Sequence, residues 1–320
     1  MDILSDVLAS VRSGRPSSAT VTWHAPWGQR FPEVRGSAGF QIILQGSCWL
    51  IRPDHEPVAL NVGDVLFFPH GHSYALADSP DRDLADPRCD PLQDSELFVR
   101  DSIGTTGRAT VTLCGGYGLD PGRAHPLLRD LPGHIHLPAR LGHHPRLRAA
   151  IELLAAEADS PGPGADTVVL ALLDTMLVYL LRAWLTEPSR STWARALSDP
   201  AIGAALQAVH EAPEHPWTVR TLADRARLSR AAFAQRFTAL VGRPPLAYLT
   251  WWRMTTAARL LRESDAPLSE ISARVGYGSE FAFANAFKRE YGQAPGRYRR
   301  SAVPRPRPEA TSQEDAAGQA

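Results

Sequence analysis

The stretch that decides the fold is written twice in this chain. Residues 217–237 read WTVRTLADRARLSRAAFAQRF, and residues 268–287 read LSEISARVGYGSEFAFANAF. Each copy has a short apolar helical pattern, a turn, a Ser, and a second helical pattern with two Phe residues spaced i, i+4. A short helix, a tight turn and a second helix anchored by one apolar stripe form a helix-turn-helix. The sequence therefore predicts two such motifs.

The second helix of each copy has two distinct faces. The Phe pairs fix one face to a core, and Ser229 and Ser279 stand where a hydroxyl N-cap is needed. The opposite face carries small, amide and acidic side chains, which suit base edges in a major groove. The predicted base-reading residues are Ala231, Ala234, Gln235, Glu280, Phe281, Ala282 and Asn285. The predicted phosphate contacts are Ser229, Arg230, Arg253, Ser279, Lys288 and Arg289.

The charge of the chain is divided between its two parts. The total is 34 Lys and Arg against 34 Asp and Glu, a formal net charge of zero. Residues 199–300 hold 15 basic and 9 acidic side chains, whereas residues 1–198 hold 17 and 22. A basic block joined to an acidic one indicates that only the C-terminal part meets phosphates.

Residues 222–299 resemble the DNA-binding domain of AraC/XylS-type transcription regulators. The positions that carry the resemblance are Leu222-Ala223, Leu228-Ser229, Phe233, Phe237, Gly242, Pro244-Pro245, Tyr248-Leu249, Arg253-Met254, Ala257, Leu260-Leu261, Ile271, Val275-Gly276-Tyr277, Ser279, Phe283, Phe287-Lys288-Arg289, Tyr291-Gly292, Pro295 and Tyr298-Arg299. Three positions depart from the family pattern: Arg227 replaces a turn Gly, Ser272 an Ala, and Asn285 an Arg. The resemblance implies a sequence-specific DNA-binding regulator, an activator that responds to a small molecule or a redox signal. It also implies double-stranded DNA and RNA polymerase as partners.

The N-terminal part has a different pattern, of short apolar β runs separated by Gly turns. The runs are residues 40–44, 48–51, 57–60, 65–69 and 109–117. Many short strands with Gly turns predict a β-barrel or sandwich. The residues Trp27-Gly28, Phe31-Pro32, Gly46, Cys48-Trp49-Leu50, Gly63-Asp64-Val65 and Pro69-His70-Gly71 resemble the cupin-type sensor domain of one branch of these regulators.

Two helical patterns follow the β-rich part. Residues 145–158 are amphipathic, and residues 166–184 are apolar nearly all round. With Asp174 and Arg182 inside it, the second helix is not expected to span a membrane. A helix that is apolar on every side must be buried on every side. We expect its second stripe, which is Leu170, Leu173, Leu177 and Leu181, to be covered by another subunit in a homodimer; the alternative is burial within one chain.

The fold class expected from these patterns is α+β, with an N-terminal cupin-like β-barrel and dimerisation helices. The C-terminal domain is expected to be all-α, with two helix-turn-helix motifs joined by one long helix over residues 245–263. The predicted boundaries are a sensor domain at 1–140, a helical dimerisation segment at 141–185, a linker at 186–198, the DNA-binding domain at 199–300 and a disordered tail at 301–320. The start of the chain lacks a signal-peptide pattern, so we expect a cytoplasmic protein.

Candidate chemistry in the sensor domain is sparse. His70-Gly71-His72 and His134-Ile135-His136 each pair two imidazoles, but no acidic residue follows at cupin metal-site spacing, so no metal, cofactor or catalytic residue is predicted. Cys89, in the acidic loop beside Arg88, is the candidate redox residue, because thiol sensing needs exposure and a stabilised thiolate. The aromatic side chains that form a candidate effector pocket are Trp23, Trp27, Trp49 and Tyr74; packing in a core is the alternative reading.

Two other functions fit parts of the sequence. One is a cupin-type metal-binding protein or enzyme with a DNA-binding appendage. The other is an architectural protein that binds DNA without sequence preference. Bound metal after purification would indicate the first, and the absence of a preferred site in a genome-wide footprint would indicate the second.

Overall fold

The computed structural model describes residues 2–11, 15–86, 97–119, 125–140, 142–186 and 191–302. Its strands are β1 (Ser17–His24), β2 (Gly28–Phe31), β3 (Ser37–Gln45), β4 (Ser47–Ile51), β5 (Val58–Asn61), β6 (Val65–Phe68), β7 (Tyr74–Ala77), β8 (Phe98–Ile103), β9 (Ala109–Gly118) and β10 (Ile135–Leu137). Its helices are α1 (Ile3–Val11), α2 (Pro126–Arg129), α3 (Pro145–Asp159), α4 (Ala165–Leu185), α5 (Thr192–Ser198), α6 (Pro200–Glu211), α7 (Val219–Arg225), α8 (Arg230–Val241), α9 (Pro245–Glu263), α10 (Leu268–Arg274), α11 (Glu280–Tyr291) and α12 (Pro295–Ala302).

The chain divides into two compact units. The first contains Met1–Glu211 and Trp217–Ala247, and the second contains Ala212–Pro216 and Tyr248–Ala320. The division therefore does not follow the boundary predicted at residue 199. Helices α5 and α6 pack against the first helix-turn-helix, and α6 also packs against α1, so that these elements form one unit with the N-terminal part.

Two sheets build the β-rich part of the first unit. One has six strands in the order β10-β6-β3-β9-β1-β8, and the other has four in the order β2-β7-β4-β5. All neighbouring pairs are antiparallel except β1 and β8, which are parallel. The predicted α+β fold with a cupin-like N-terminal domain is confirmed, and each of the five predicted strand runs overlaps an observed strand.

The interior between the sheets is filled by apolar side chains from both of them. Strands of the larger sheet contribute Trp23, Ile43 and Phe68, and strands of the smaller sheet contribute Leu50 and Leu76. Side chains alternate across the pleat, so the short β runs of the sequence become the walls of this core.

The burial of helix α4 differs from the burial on which the predicted dimer was based. Of the predicted stripe, Leu173, Leu177 and Leu181 are buried within the chain itself and Leu170 is half-buried, so most of this stripe is not left for a second subunit. Helix α3 packs along α4, and the hydroxyl of Tyr117 donates a hydrogen bond of 2.8 Å to the carbonyl of Leu173.

In the described part of the chain α4 is the one helix long and apolar enough to cross a bilayer, a property it shares with core helices of soluble proteins.

The predicted linker over residues 186–198 is wrong for its second half. Residues 192–198 form helix α5, whose Trp193 is buried. The N-cap is Ser191, and its hydroxyl accepts hydrogen bonds of 3.1 Å from the backbone N–H groups of Trp193 and Ala194. A cap and one buried indole are enough to form a short helix here, even though the segment is polar in sequence. Residues 187–190 and most of the predicted tail, 303–320, lie outside the described residues.

The second unit has its own core. It combines side chains from α9, α10, α11 and α12, among them Met254, Ile271, Phe283, Phe287 and Tyr298. The long helix predicted between the two motifs is confirmed as α9, from Pro245 to Glu263.

Candidate nucleic-acid interface

The first helix-turn-helix consists of α7 and α8. A capping box opens α7: the Thr218 hydroxyl accepts from the N–H of Thr221 at 3.1 Å, and the Thr221 hydroxyl accepts from the N–H of Thr218 at 2.9 Å. In the turn, Arg227 has a φ of 53°, in the left-handed region where the family pattern has Gly. The Ser229 hydroxyl then caps α8 by accepting from the N–H of Ala232 at 3.3 Å.

The second helix-turn-helix repeats this plan with α10 and α11. Gly276 supplies the left-handed turn with a φ of 76°. The Ser279 hydroxyl accepts from the N–H of Ala282 at 3.2 Å, which caps α11. Both predicted Ser caps are therefore observed.

Each second helix is anchored by its Phe pair. Phe233 and Phe237 are fully buried with ring centroids 5.5 Å apart, and Phe283 and Phe287 are fully buried at 5.7 Å. Because the anchored face points inward, the opposite face of each helix is open to solvent.

The predicted base-reading residues lie on these open faces. All of them are exposed except Ala234, which is half-buried. Phe281 is the most prominent, with 77% of its surface exposed at the first turn of α11. A ring this exposed at the start of a helix is not part of the core that the other two Phe residues of α11 form.

Most predicted phosphate contacts are also accessible. Arg230 at the start of α8 and Lys288 and Arg289 near the end of α11 are exposed. The hydroxyls of Ser229 and Ser279 accept the capping hydrogen bonds and keep an O–H to donate.

Arg253 has a structural role in addition to the predicted one. Its Nε donates to the carbonyl of Pro213 at 2.6 Å and its Nη2 to the carbonyl of His215 at 2.8 Å. The guanidinium also lies 6.0 Å from the ring of Tyr277. Arg253 thus fastens the segment 212–216 to α9, and its predicted contact with phosphate stays a prediction.

The predicted effector-pocket residues are placed inside and outside the sandwich. Trp23 and Trp27 stack at 4.7 Å, and Tyr74 stacks with Phe31 at 4.7 Å and with Phe68 at 3.9 Å. The two groups meet edge-on, with the rings of Trp23 and Phe31 6.5 Å apart, and all five side chains belong to the core between the sheets or pack against it. Trp49 lies on the other face of β4 from the buried Cys48 and Leu50, so the structure does not bring it together with the other three.

The candidate redox and metal residues can be placed as follows. Cys89 lies outside the described residues. Cys48 is buried, and burial raises the pKa of its thiol to about 12, with the charge of Asp64 acting in the same direction. In the ranges that the structure describes, no three His, Cys, Asp or Glu side chains are grouped to hold a metal ion.

Each histidine of the two pairs lies close to another polar group of the chain. His70 Nε2 lies 2.9 Å from the carbonyl of Leu131, and His72 Nδ1 lies 3.3 Å from that of Gly133. His134 Nδ1 lies 3.0 Å from Arg52 Nη1, and His136 Nε2 lies 3.3 Å from Asp64 Oδ2. Burial lowers the pKa of His134 to about 4, and the charge of Arg52 acts in the same direction.

A cavity that sequence reasoning missed lies beside these histidines in the first unit. Its volume is about 450 Å³, and its lining consists of Asp130, Pro132, His134, Ile135, His136 and Trp184. The His134-Ile135-His136 motif was the one sequence signal for it, but its contribution to a cavity wall depends on α4, which lies far along the chain.

Comparisons with known proteins find similar sequences for both parts of the chain. Residues 2–186 match the family model described as Cupin, and residues 222–301 match the one described as Helix-turn-helix domain. A putative AraC-like transcription regulator of Streptomyces lividans is 36% identical over 307 residues, which cover 94% of this chain and 98% of that protein. The RCS-specific HTH-type transcriptional activator RclR of Escherichia coli is 32% identical over 261 residues, 80% of this chain and 82% of that one. A solved structure of the DNA-binding domain of AdpA in complex with a target DNA is 38% identical, covers 32% of this chain and 93% of that chain, and has a TM-score of 0.31.

These relatives are named as transcription regulators, and their alignments with this chain cover 98% and 82% of their own length. This does not favour the alternative of a cupin enzyme with a DNA-binding appendage. The doubled helix-turn-helix is the part that the second family model matches, over residues 222–301. From its cupin domain and helix-turn-helix domain, and from a relative that is 36% identical over 94% of this chain, the chain belongs to the AraC family of sequence-specific DNA-binding transcription regulators.

Proposed function

We propose that this regulator is a cytoplasmic homodimeric activator that reads DNA with the exposed faces of α8 and α11 and recruits RNA polymerase. The observation that carries the proposal is the pair of capped helices, each fixed by two buried Phe residues and open on the opposite face. An α-helix fits the major groove, and a reading helix of this kind contacts bases through its N-terminal residues.

The two faces offer different chemistry to DNA. Helix α8 presents Ala231, Ala234 and Gln235, so an amide is its main hydrogen-bonding group; a Gln amide pairs well with adenine. Helix α11 presents Glu280, Phe281, Ala282 and Asn285, which combine an acceptor for cytosine, an apolar ring for a thymine methyl and a second amide. We therefore propose that the two motifs read different base sequences.

Positive charge on the same motifs supplies the sequence-independent part of binding. Arg230, Lys288 and Arg289 are exposed, and each phosphate that they neutralise adds to the salt dependence of the affinity. The serine hydroxyls at the starts of α8 and α11 are placed to donate to phosphates as well.

The dimer is proposed through the outer faces of α3 and α4 instead of the buried leucine stripe. Leu153 on α3 is 60% exposed, and Val168 on α4 is 41% exposed. Neighbouring Ala149, Ala156 and Ala171 are exposed and small, which allows close approach of another helix. Two copies joined here would give the protein a two-fold axis, so that each copy could read one half-site.

The experiment is a DNase footprint of the full-length protein on the DNA upstream of its neighbouring genes, followed by transcription with purified RNA polymerase. We expect a protected region with two half-sites, and more transcript when protein is added. A uniform footprint without a preferred site would contradict the proposal, and less transcript would indicate a repressor.

The dimer has a matched control on the same chain. Leu153→Glu and Val168→Glu should give monomers in sedimentation and shorten the footprint. Val62→Glu places the same change at a 53% exposed site on the sheet domain and should leave the dimer intact. If the α3 and α4 variants sediment like the Val62 variant, the interface is elsewhere.

A further inference from the structure

The cavity of about 450 Å³ in the first unit has the properties of a small-molecule site. Ligand pockets fall in the range of about 300–1,000 Å³ and combine apolar walls with a few polar groups. Here Pro132, Ile135 and Trp184 form the apolar part, and Asp130, His134 and His136 form the polar part.

The charge of the lining indicates which ligand it suits. Asp130 is the only carboxylate among the six lining residues, and none of them is Lys or Arg. Arg52 donates to His134 Nδ1, which leaves the proton of the neutral imidazole on Nε2. The indole of Trp184 is the aromatic partner that an organic cation prefers.

Asp130 also has a structural role that connects the cavity to DNA reading. Its Oδ2 accepts from the Ser191 hydroxyl at 2.6 Å, from the Thr192 hydroxyl at 3.1 Å and from the Trp193 N–H at 3.3 Å. These groups form the start of α5. In the described part of the chain no hydrogen bond is made to the other carboxylate oxygen, Oδ1.

Helix α5 continues the connection to the first helix-turn-helix. It packs against α8, and its C-cap, Asp199, accepts a hydrogen bond of 2.7 Å at Oδ2 from Nε of Arg236 on α8. These contacts connect the start of α5 with a helix whose exposed face is proposed to read bases.

We propose that the cavity binds a small organic ammonium ion with an apolar body, whose charged head pairs with Asp130 while the body lies against Trp184 and Ile135. When the cation pairs with the Asp130 carboxylate, it weakens the hydrogen bonds by which that carboxylate stabilises the start of α5. This in turn changes the affinity of α8 for DNA. This second step rests on the proposed function of the protein; the binding step does not.

The binding step is tested by calorimetric titration of the full-length protein without DNA. The probe is benzyltrimethylammonium, and the controls are its uncharged isostere neopentylbenzene and the anion phenylacetate. We expect the cation to bind at least about tenfold more tightly than either control, because a desolvated cation–π contact and a charge pair both depend on its charge.

Two variants locate the site. Asp130→Asn keeps an oxygen that can accept from α5 but removes the charge, and should weaken binding of the cation by about tenfold or more. Trp184→Phe should weaken it less, since Phe is a poorer partner for cations. Glu152→Gln removes an exposed charge on α3 and should change nothing. Circular dichroism checks that each variant is folded.

Three results would overturn the site. They are equal binding of the neutral isostere, unchanged binding of the cation by the Asp130 and Trp184 variants, and no heat from the cation at millimolar concentration.

The coupling step is tested by the DNA affinity of the same proteins with and without the cation. We expect a several-fold change for the wild type and none for Asp130→Asn. A wild type that binds the cation with unchanged DNA affinity would overturn the coupling. If the protein binds no specific DNA at all, the proposed function fails, while the titration still decides whether the cavity is a site.

Discussion

His210 Nδ1 lies 3.3 Å from Oδ2 of Asp6, and both side chains are almost fully buried. The two residues are 204 positions apart, so the contact joins α1 at the start of the chain to α6 beside the first helix-turn-helix. The ring of His210 also lies 6.4 Å from that of His125, which itself contacts Trp193 at 4.8 Å. The first helix of the chain is therefore fixed to the same cluster as α5.

We expect Asp6→Ala to destabilise the first unit. The change removes the acceptor beside a buried imidazole, which costs about 1–3 kcal/mol. Asp6→Asn keeps an acceptor and should restore much of the loss, whereas Asp81→Ala at an exposed position should have no effect. Urea unfolding monitored by circular dichroism gives the three values. Equal stability of the two Asp6 variants would show that the acceptor contributes little.

Stability should also fall in mild acid because three histidines resist protonation in the fold. Burial is the main cause of the lowered pKa of His125, His134 and His210; at His210 it outweighs the opposing effect of Asp6. The unfolded chain, with ordinary pKa values near 6.5, takes up protons that the native state refuses. The stabilisation is therefore complete above about pH 6.5 and is lost as the pH falls below it, by up to ~1.4 kcal/mol per pH unit for each proton.

The measurement is the urea midpoint between pH 8 and about pH 5, above the range where carboxylates protonate. His210→Asn should reduce the slope below pH 6.5, and His143→Asn, at an exposed position, should leave it unchanged. A midpoint that stays constant through this window would contradict the assignment of neutral buried histidines.

The two turns should respond oppositely to exchange of their residues. Arg227 is exposed and has a φ of 53°, so Arg227→Gly should be neutral or stabilising by up to about 1 kcal/mol, since Gly has no left-handed penalty. At Gly276 an added Cβ would lie 2.7 Å from the carbonyl oxygen of Glu214 and 2.7 Å from Arg253 Nη2. Gly276→Ala should therefore cost roughly 1–3 kcal/mol. Thermal melting compares them, and a destabilised Arg227→Gly would mean that the Arg side chain has a role.

The parts of the fold that follow from local pattern were predictable from the sequence. The repeated Phe pairs gave both helix-turn-helix motifs, and the ends of α9 were predicted at the residues where they are observed. Helix α5 was missed because its stabilising partner, Asp130, lies 61 residues before Ser191. The leucine stripe of α4 was assigned to a second subunit because the sequence does not show that Leu173, Leu177 and Leu181 are buried within the chain itself.

In the candidate site, too, the features that follow from local pattern were predictable, and those that depend on distant contacts were not. Exposure of Gln235, Phe281 and Asn285 could be inferred from helical spacing relative to the buried Phe residues. The role of Arg253 could not, because backbone carbonyls such as those of Pro213 and His215 leave no mark in a sequence. The cavity beside α4 has six lining residues from two distant segments, and only one motif among them is visible as a pattern.

Substitutions on the exposed faces of α8 and α11 should reduce the preference for particular base pairs, whereas binding to DNA of any sequence should change little. Gln235→Ala and Asn285→Ala should each relax the preference at one base pair and cost ~1–3 kcal/mol on the preferred site. Phe281→Ala should relax the preference for a thymine. Selection from a randomised site library gives the preferences, and Gln207→Ala on α6 serves as the amide control. Unchanged preferences in all three variants would move the reading face elsewhere.

The last prediction separates two arginines that look alike in sequence. Arg230 is exposed at the start of α8, so Arg230→Ala should weaken binding to all DNA sequences and reduce the slope of log K against log salt by about 0.9, one phosphate contact. Arg253 donates to two backbone carbonyls in its own unit, so Arg253→Ala should lower the melting temperature and leave the salt slope of the folded protein unchanged. Filter binding at several salt concentrations, with melting curves on the same samples, measures both. A reduced slope for Arg253→Ala with unchanged stability would restore the phosphate contact expected from the sequence. If Arg230→Ala kept the salt slope of the wild type, the phosphate contact assigned to Arg230 on α8 would be wrong.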